Sequence, residues 1–152
     1  MKTIITYGTY DLFHIGHLAL LQRAKAMGDR LIVGISTDEF NELKGKRSFF
    51  PYRDRMEIVQ SLKCVDAVIP EENWEQKVLD VQKHNVDVFV MGSDWSGKFD
   101  TLKAYCDVVY LDRTDGISST EIRNALSKID ENTIKALKFA LDTASSLVNA
   151  IK

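Results

Sequence analysis

Proline is nearly missing from this 152-residue chain, which holds only Pro51 and Pro70. No proline-rich linker or recognition tract therefore divides it. Cysteine is as scarce. Cys64 and Cys106 fit neither a zinc-ligand spacing nor a redox pair, and they read as reduced core thiols. No apolar run approaches the roughly 18 residues that would span a bilayer, and no signal-peptide pattern opens the chain. A cytoplasmic protein is expected. Positive charge is not in excess either: 20 Lys and Arg face 22 Asp and Glu, for a net charge of −2. A nucleic-acid footprint is thereby excluded, and any basic site must be local and matched to a small anion.

What is present alternates. Short apolar runs at Ile4–Tyr7, Leu31–Ser36, Ala67–Ile69, Val86–Met91 and Val108–Leu111 predict strands. Helical spacing covers His17–Met27, Arg53–Ser61, Trp74–His84, Thr101–Tyr105 and Ser119–Ala125. This order predicts an α/β, Rossmann-like parallel sheet of about five strands with helices on both faces. In such sheets a ligand sits beyond the carboxyl ends of the strands, at the switch point. Gly8, Ser36, Gly92 and Asp112 all fall on that rim. The one long polar connection runs from Asn41 to Tyr52 and gathers Lys44, Lys46 and Arg47 around Gly45. It suits a mobile cationic loop that closes over an anion.

The densest chemistry follows the first strand. His14, Ile15, Gly16 and His17 lie where that strand hands over to a helix. A helix N-terminus offers unpaired N–H groups and a positive partial charge, which suit phosphate. Gly16 lets the backbone approach an anion closely. Imidazoles three residues apart can donate to one anion from the same side, and both are expected to face solvent.

These residues carry a resemblance. YGTYDLFHIGH resembles the first signature of the HIGH-type nucleotidyltransferase superfamily. About a hundred residues on, Arg113-Thr114-Asp115-Gly116-Ile117-Ser118-Ser119-Thr120 resembles the RTxGIST box of its cytidylyltransferase branch. STDEFN (36–41), VIPEENWEQK (68–77) and VFVMGSDWSGKFD (88–100) are similar to the bacterial glycerol-3-phosphate cytidylyltransferases, which make CDP-glycerol for teichoic-acid-type polymers. The likeness runs from about residue 1 to 128. It implies that the backbone of Thr9 and Tyr10 lines the nucleotide site together with His14, Gly16 and His17. By the same likeness Lys44 and Lys77 contact the acceptor, while Lys46, Arg113, Thr114, Gly116, Ile117, Ser118, Ser119 and Thr120 contact CTP. Two departures stand out. Lys63-Cys64-Val65-Asp66 replaces an Arg-aromatic-Val-Asp segment, losing the bidentate fork of arginine. Ser119 replaces a threonine and keeps the hydroxyl.

Attack on the α-phosphorus of a nucleotide calls for charge stabilisation more than covalent catalysis. A phosphate monoester, with a second pKa of about 6, is already largely dianionic at neutral pH. No general base is needed, and no Ser-His-Asp or Cys-His arrangement is found. His14, His17, Lys46 and Arg113 supply the donors, and Mg²⁺ arriving on CTP covers the leaving pyrophosphate. No protein-held metal is expected. Ser118 and Glu121 form a capping box that orders a second phosphate-receiving helix start, where Ser119 and Thr120 offer hydroxyls. Asp94 has a nucleotide or metal role or a loop-bracing one, and Asp11 orders its loop. Trp74 and Trp95 read as packing. Arg55 is a surface or an acceptor-side cation, and Lys77 without the resemblance would be helix surface. The competing functions are transfer to another alcohol phosphate, an adenylyltransferase, and a non-catalytic nucleotide-binding subunit.

The organisation expected is a nucleotidyltransferase domain over 1–128 and a helical extension over 129–152. In the extension Ile134, Leu137, Leu141, Ala144, Val148 and Ile151 recur at spacings of three and four. Such a stripe packs either on its own domain or on the same helix of a second subunit, the likeness implying a homodimer.

Overall fold

The structure, a computed structural model, describes residues 1–113 and 118–151, and the side chains of all of these except 128–130 and 151. The chain forms two units, Met1–Ile117 and Ser118–Lys152. In the first unit five strands, β1 (Thr3–Gly8), β2 (Arg30–Ser36), β3 (Ala67–Glu71), β4 (Val88–Gly92) and β5 (Asp107–Leu111), form one sheet. All neighbouring strands are parallel, in the order β3-β2-β1-β4-β5. The switch point therefore falls at the carboxyl ends of β1 and β4, at Gly8 and Gly92.

Period-two alternation along the strands builds two cores. Ile4, Val33, Val88 and Val90 point to one face, where Leu21 and Ala24 of α1 (Ile15–Lys25) and Val59 of α3 (Tyr52–Gln60) cover them. Ile5, Tyr7, Ile32, Phe89 and Met91 point to the other, under Val81 of α4 (Gln76–Lys83) and Leu102 of a 3-10 turn over Asp100–Ala104. The apolar runs thus read correctly as strands buried on both sides, and the helices lie on both faces as expected.

The boundaries differ instructively. β3 continues two residues past the expected Ile69, through Pro70. Glu71 turns its carbonyl inward to accept from the Thr37 N–H, so Pro70 faces outward, where β3 is an edge and no donor is required. The region expected to open a long connection begins with a helix, α2 (Asp38–Leu43), capped by the Thr37 hydroxyl accepting from the Phe40 N–H. Thr101–Tyr105 is a 3-10 turn, not an α-helix.

The second unit is one helix, α5 (Ser119–Ile151), that joins the two helical patterns read separately from the sequence. No helix among the described residues is long and apolar enough to cross a membrane.

Candidate active site

The loop from β1 to α1 is held in a costly shape. Tyr10 and Leu12 both adopt positive φ, 55° and 49°, which side chains other than glycine rarely tolerate. Its anchors explain how. The guanidinium of Arg55 donates from Nη1 to the carbonyls of Thr9 and Ser36, both at 2.8 Å, from Nε to the Phe50 carbonyl at 3.0 Å, and from Nη2 to Asp38 at 2.8 Å. Arg55 is only 1% exposed, so the expectation of a surface cation is overturned. It ties together the ends of β1 and β2 and the end of the basic loop. Asp11, also buried, accepts from the N–H groups of Phe49 and Phe50 and orders the loop as expected.

His14 and His17 start α1 as a capping pair. His14 occupies the N-cap and its Nδ1 accepts from the Gly16 N–H at 3.0 Å, while the His14 N–H donates to His17 Nδ1 at 3.2 Å. With both Nδ1 atoms accepting, each neutral ring carries its proton on Nε2, as a donor. The rings stack with centroids 3.9 Å apart, and His17 also lies against Tyr10 and Phe13. The histidines are therefore half-buried, contrary to the expectation that they face solvent.

Burial, reinforced by the neighbouring His14, pushes the His17 pKa down to about 4. His17 is neutral at physiological pH. Between about pH 6.5 and 4 the unfolded chain takes up a proton that folded His17 refuses, so stability falls as pH drops through that window. Above it, this group contributes no pH dependence. Urea midpoints at pH 7, 5.5 and 4.5 are expected to fall less steeply for His17→Gln than for the native protein.

Beside this loop, a cleft at the carboxyl ends of β1, β2 and β3 is lined by Gly8, Thr9, Ser36, Lys44, Lys46, Glu71, Trp74, Lys77 and Trp95, among others. Three ammonium groups thus meet where the topology places the ligand. Lys77 is not helix surface: it is 3% exposed, pairs with Glu71 at 2.6 Å and lies near the rings of Tyr7, Trp74 and Phe99. Tyr7 reaches that position by lying across Gly34, where an added Cβ would come within 2.2 Å of its ring. Lys44 donates to the Ser36 hydroxyl at 2.9 Å and sits over the Phe40 ring, while Lys46 is exposed with its N–H anchored to the Asn41 carbonyl. Trp74 is 46% exposed and lines the cleft, which goes beyond the packing role expected.

Arg113 approaches Asp94 at 3.5 Å with both side chains largely exposed. In the second unit, the Ser118 hydroxyl accepts from the Glu121 N–H and Glu121 accepts from the Ser118 N–H, both at 3.1 Å. This is the expected capping box, and it precedes Ser119 and Thr120. Thr114, Gly116 and Ile117 lie outside the described residues. From the sequence Ser36 falls on the rim with no assigned role, and Glu71 goes unmarked because β3 runs two residues past the expected Ile69.

A five-stranded parallel sheet in this order, with helices on both faces and a helix starting at its switch point, defines an α/β, Rossmann-like protein. The chain belongs to the cytidylyltransferase-like family, whose model matches residues 5–125. It is 58% identical over 129 residues to a glycerol-3-phosphate cytidylyltransferase of Bacillus spizizenii, covering 85% of this chain and all of that one. A glycerol-3-phosphate cytidylyltransferase of Staphylococcus aureus is 58% identical over 126 residues, 83% of this chain and 96% of its own. Among solved structures, a lipopolysaccharide core biosynthesis protein of Thermoplasma volcanium shares the fold, with a TM-score of 0.65 at 24% identity over 76% of this chain and 99% of that one.

Proposed function

We propose that the protein transfers a cytidylyl group from CTP to glycerol 3-phosphate, giving CDP-glycerol and pyrophosphate. The observation that carries this reading is the cleft at the carboxyl edge of the sheet, which holds Lys44, Lys46 and Lys77 and whose Gly8 and Thr9 begin the loop that leads to the Nε2 donors of His14 and His17. The 58% identity to proteins named for that reaction supports it. A phosphate oxygen of the acceptor attacks the α-phosphorus in line, and the bond to the β-phosphate oxygen breaks, its electron pair leaving with pyrophosphate. His14 and His17 donate to the phosphoryl oxygens as charge builds, which a fixed neutral donor does without reorganising. Lys44 and Lys77 hold the acceptor phosphate, and Lys46 offsets repulsion between the two polyanions. Arg113 exchanges Asp94 for the triphosphate.

The donors gathered here are imidazole and ammonium groups. Mg²⁺ would therefore be held by triphosphate oxygens and water, not by a protein cage. The reaction needs no membrane and no nucleic acid, and we place it in the cytoplasm. Pyrophosphate release from each nucleoside triphosphate against a panel of alcohol phosphates tests the reading. CTP with glycerol 3-phosphate and Mg²⁺ is expected to dominate. A preference for ATP, or turnover of a different alcohol phosphate alone, would refute it.

We further read the protein as a homodimer to which the tail contributes. Ile134, Leu137, Leu141 and Val148 are 53–63% exposed on α5, and the family match ends before them. Truncation after Ser127 is expected to leave activity intact while the dimer dissociates more readily on dilution. Unchanged sedimentation at low concentration would reject the tail's part in it.

A further inference from the structure

Glu71 is an unexpected group to find in a cleft that receives phosphate. It is 4% exposed, and in isolation its carboxylate would repel an anionic ligand. Its partners show what it does instead. Oε2 accepts from Lys77 Nζ at 2.6 Å, and Oε1 accepts from the Ser36 hydroxyl at 2.7 Å. Ser36 Oγ in turn accepts from Lys44 Nζ at 2.9 Å. The proton order is fixed along the whole chain: Lys44 donates to Ser36, Ser36 donates to Glu71, and Lys77 donates to Glu71 from the other side. The arrangement follows from strand register. Ser36 ends β2 and Glu71 ends β3, and the two are direct partners in the parallel ladder, so their side chains leave the same face side by side.

We propose that Glu71 is a positioning residue for the acceptor, holding Lys77 directly and Lys44 through Ser36 so that both ammonium groups converge on one phosphate. The proposal rests on the glycerol 3-phosphate reading given above. Each lysine spends one N–H on this network and keeps two for the ligand. A lysine stem is flexible and its charge is a point, so one fixed N–H also fixes where the other two are aimed.

The same geometry predicts a signature in pH. Lys44 faces Glu71 from β3, Lys77 from α4, Arg55 from α3 and Lys46 from its own loop, with the Phe40 and Trp74 rings beside it. Burial holds its ammonium below the usual lysine range, and the Glu71 carboxylate opposes the fall while Lys46, Lys77 and Arg55 add to it. Removing the Glu71 charge lets the Lys44 pKa drop further.

The test is steady-state kinetics of the full chain with CTP and glycerol 3-phosphate, comparing native protein, Glu71→Gln and Ser36→Ala. Glu71→Gln is expected to raise the acceptor KM about tenfold or more with the CTP KM within twofold. The alkaline limb of kcat/KM for the acceptor should move to lower pH. Ser36→Ala keeps the Lys77 pair, so it should raise the acceptor KM less. It should still shift the limb, and it serves if Glu71→Gln does not fold. An acceptor KM within twofold of native in Glu71→Gln overturns the proposal. So does an equal rise in both KM values with an unmoved limb, which would mean only general loosening. If the native protein does not turn over glycerol 3-phosphate, the functional reading fails and the proposal with it.

Discussion

His17→Ala is expected to lower kcat about 10²–10³-fold, the usual effect of losing one preorganised donor to a transition-state oxyanion. The same loss is expected from His14→Ala, but for two reasons at once. His14 is also the N-cap of α1, and losing a cap costs about 1 kcal/mol of stability. His14→Asn separates them. Asparagine is among the best N-cap residues, so it keeps the helix start while removing the Nε2 donor and the ring stacked on His17. Stopped assays of pyrophosphate release, with urea melts of each variant, make the comparison. A His14→Asn protein with native kcat would show that the imidazole caps and does nothing else. A His17→Ala protein with native kcat would remove His17 from the chemistry.

Arg55→Leu is expected to destabilise the fold by about 3 kcal/mol or more. The substitution leaves the buried carbonyl of Ser36 and the part-buried carbonyls of Thr9 and Phe50 without their shared donor, and an unsatisfied buried group costs about 1–3 kcal/mol. Asp38 adds little, because it is half-exposed and water can replace the guanidinium there. Arg55→Lys should recover only part of the loss, since one ammonium cannot meet four acceptors spread over a planar fork. Activity should fall further than folding does. With the Thr9 carbonyl released, the positive-φ conformations of Tyr10 and Leu12 lose an anchor and the histidine pair loses its fixed origin. Urea unfolding checks the first effect, and kcat at temperatures where the variant is fully folded checks the second. A variant as stable as the native protein would mean that water reaches all three carbonyls.

Local patterns were legible in the sequence, and partners brought together by register were not. The strand, the glycine and the paired histidines of the β1–α1 connection are contiguous, so their placement at the start of a helix could be read directly. The capping box of Ser118 and Glu121 was legible for the same reason. Arg55 and Lys77 were not. Each occupies a helical position that pattern alone assigns to solvent, and each is buried by acceptors that arrive from distant strands and loops. Ser36 and Glu71 are 35 positions apart and touch because β2 and β3 pair side by side with their carboxyl ends in register. The short helix α2 escaped because six residues are too few to show a period, although Thr37 and the acids behind it carried a start signal.

Pro70 has a consequence for how copies of this chain can meet. At the outer edge of β3 the residues facing away from β2 are Val68 and Pro70, and only Val68 has an N–H to give. A foreign strand laid along that edge would find a single donor where a continuing sheet needs a repeating row. The sheet therefore ends at β3. Growth by strand addition, whether toward ordered assembly or toward fibrous aggregates, is blocked on that side.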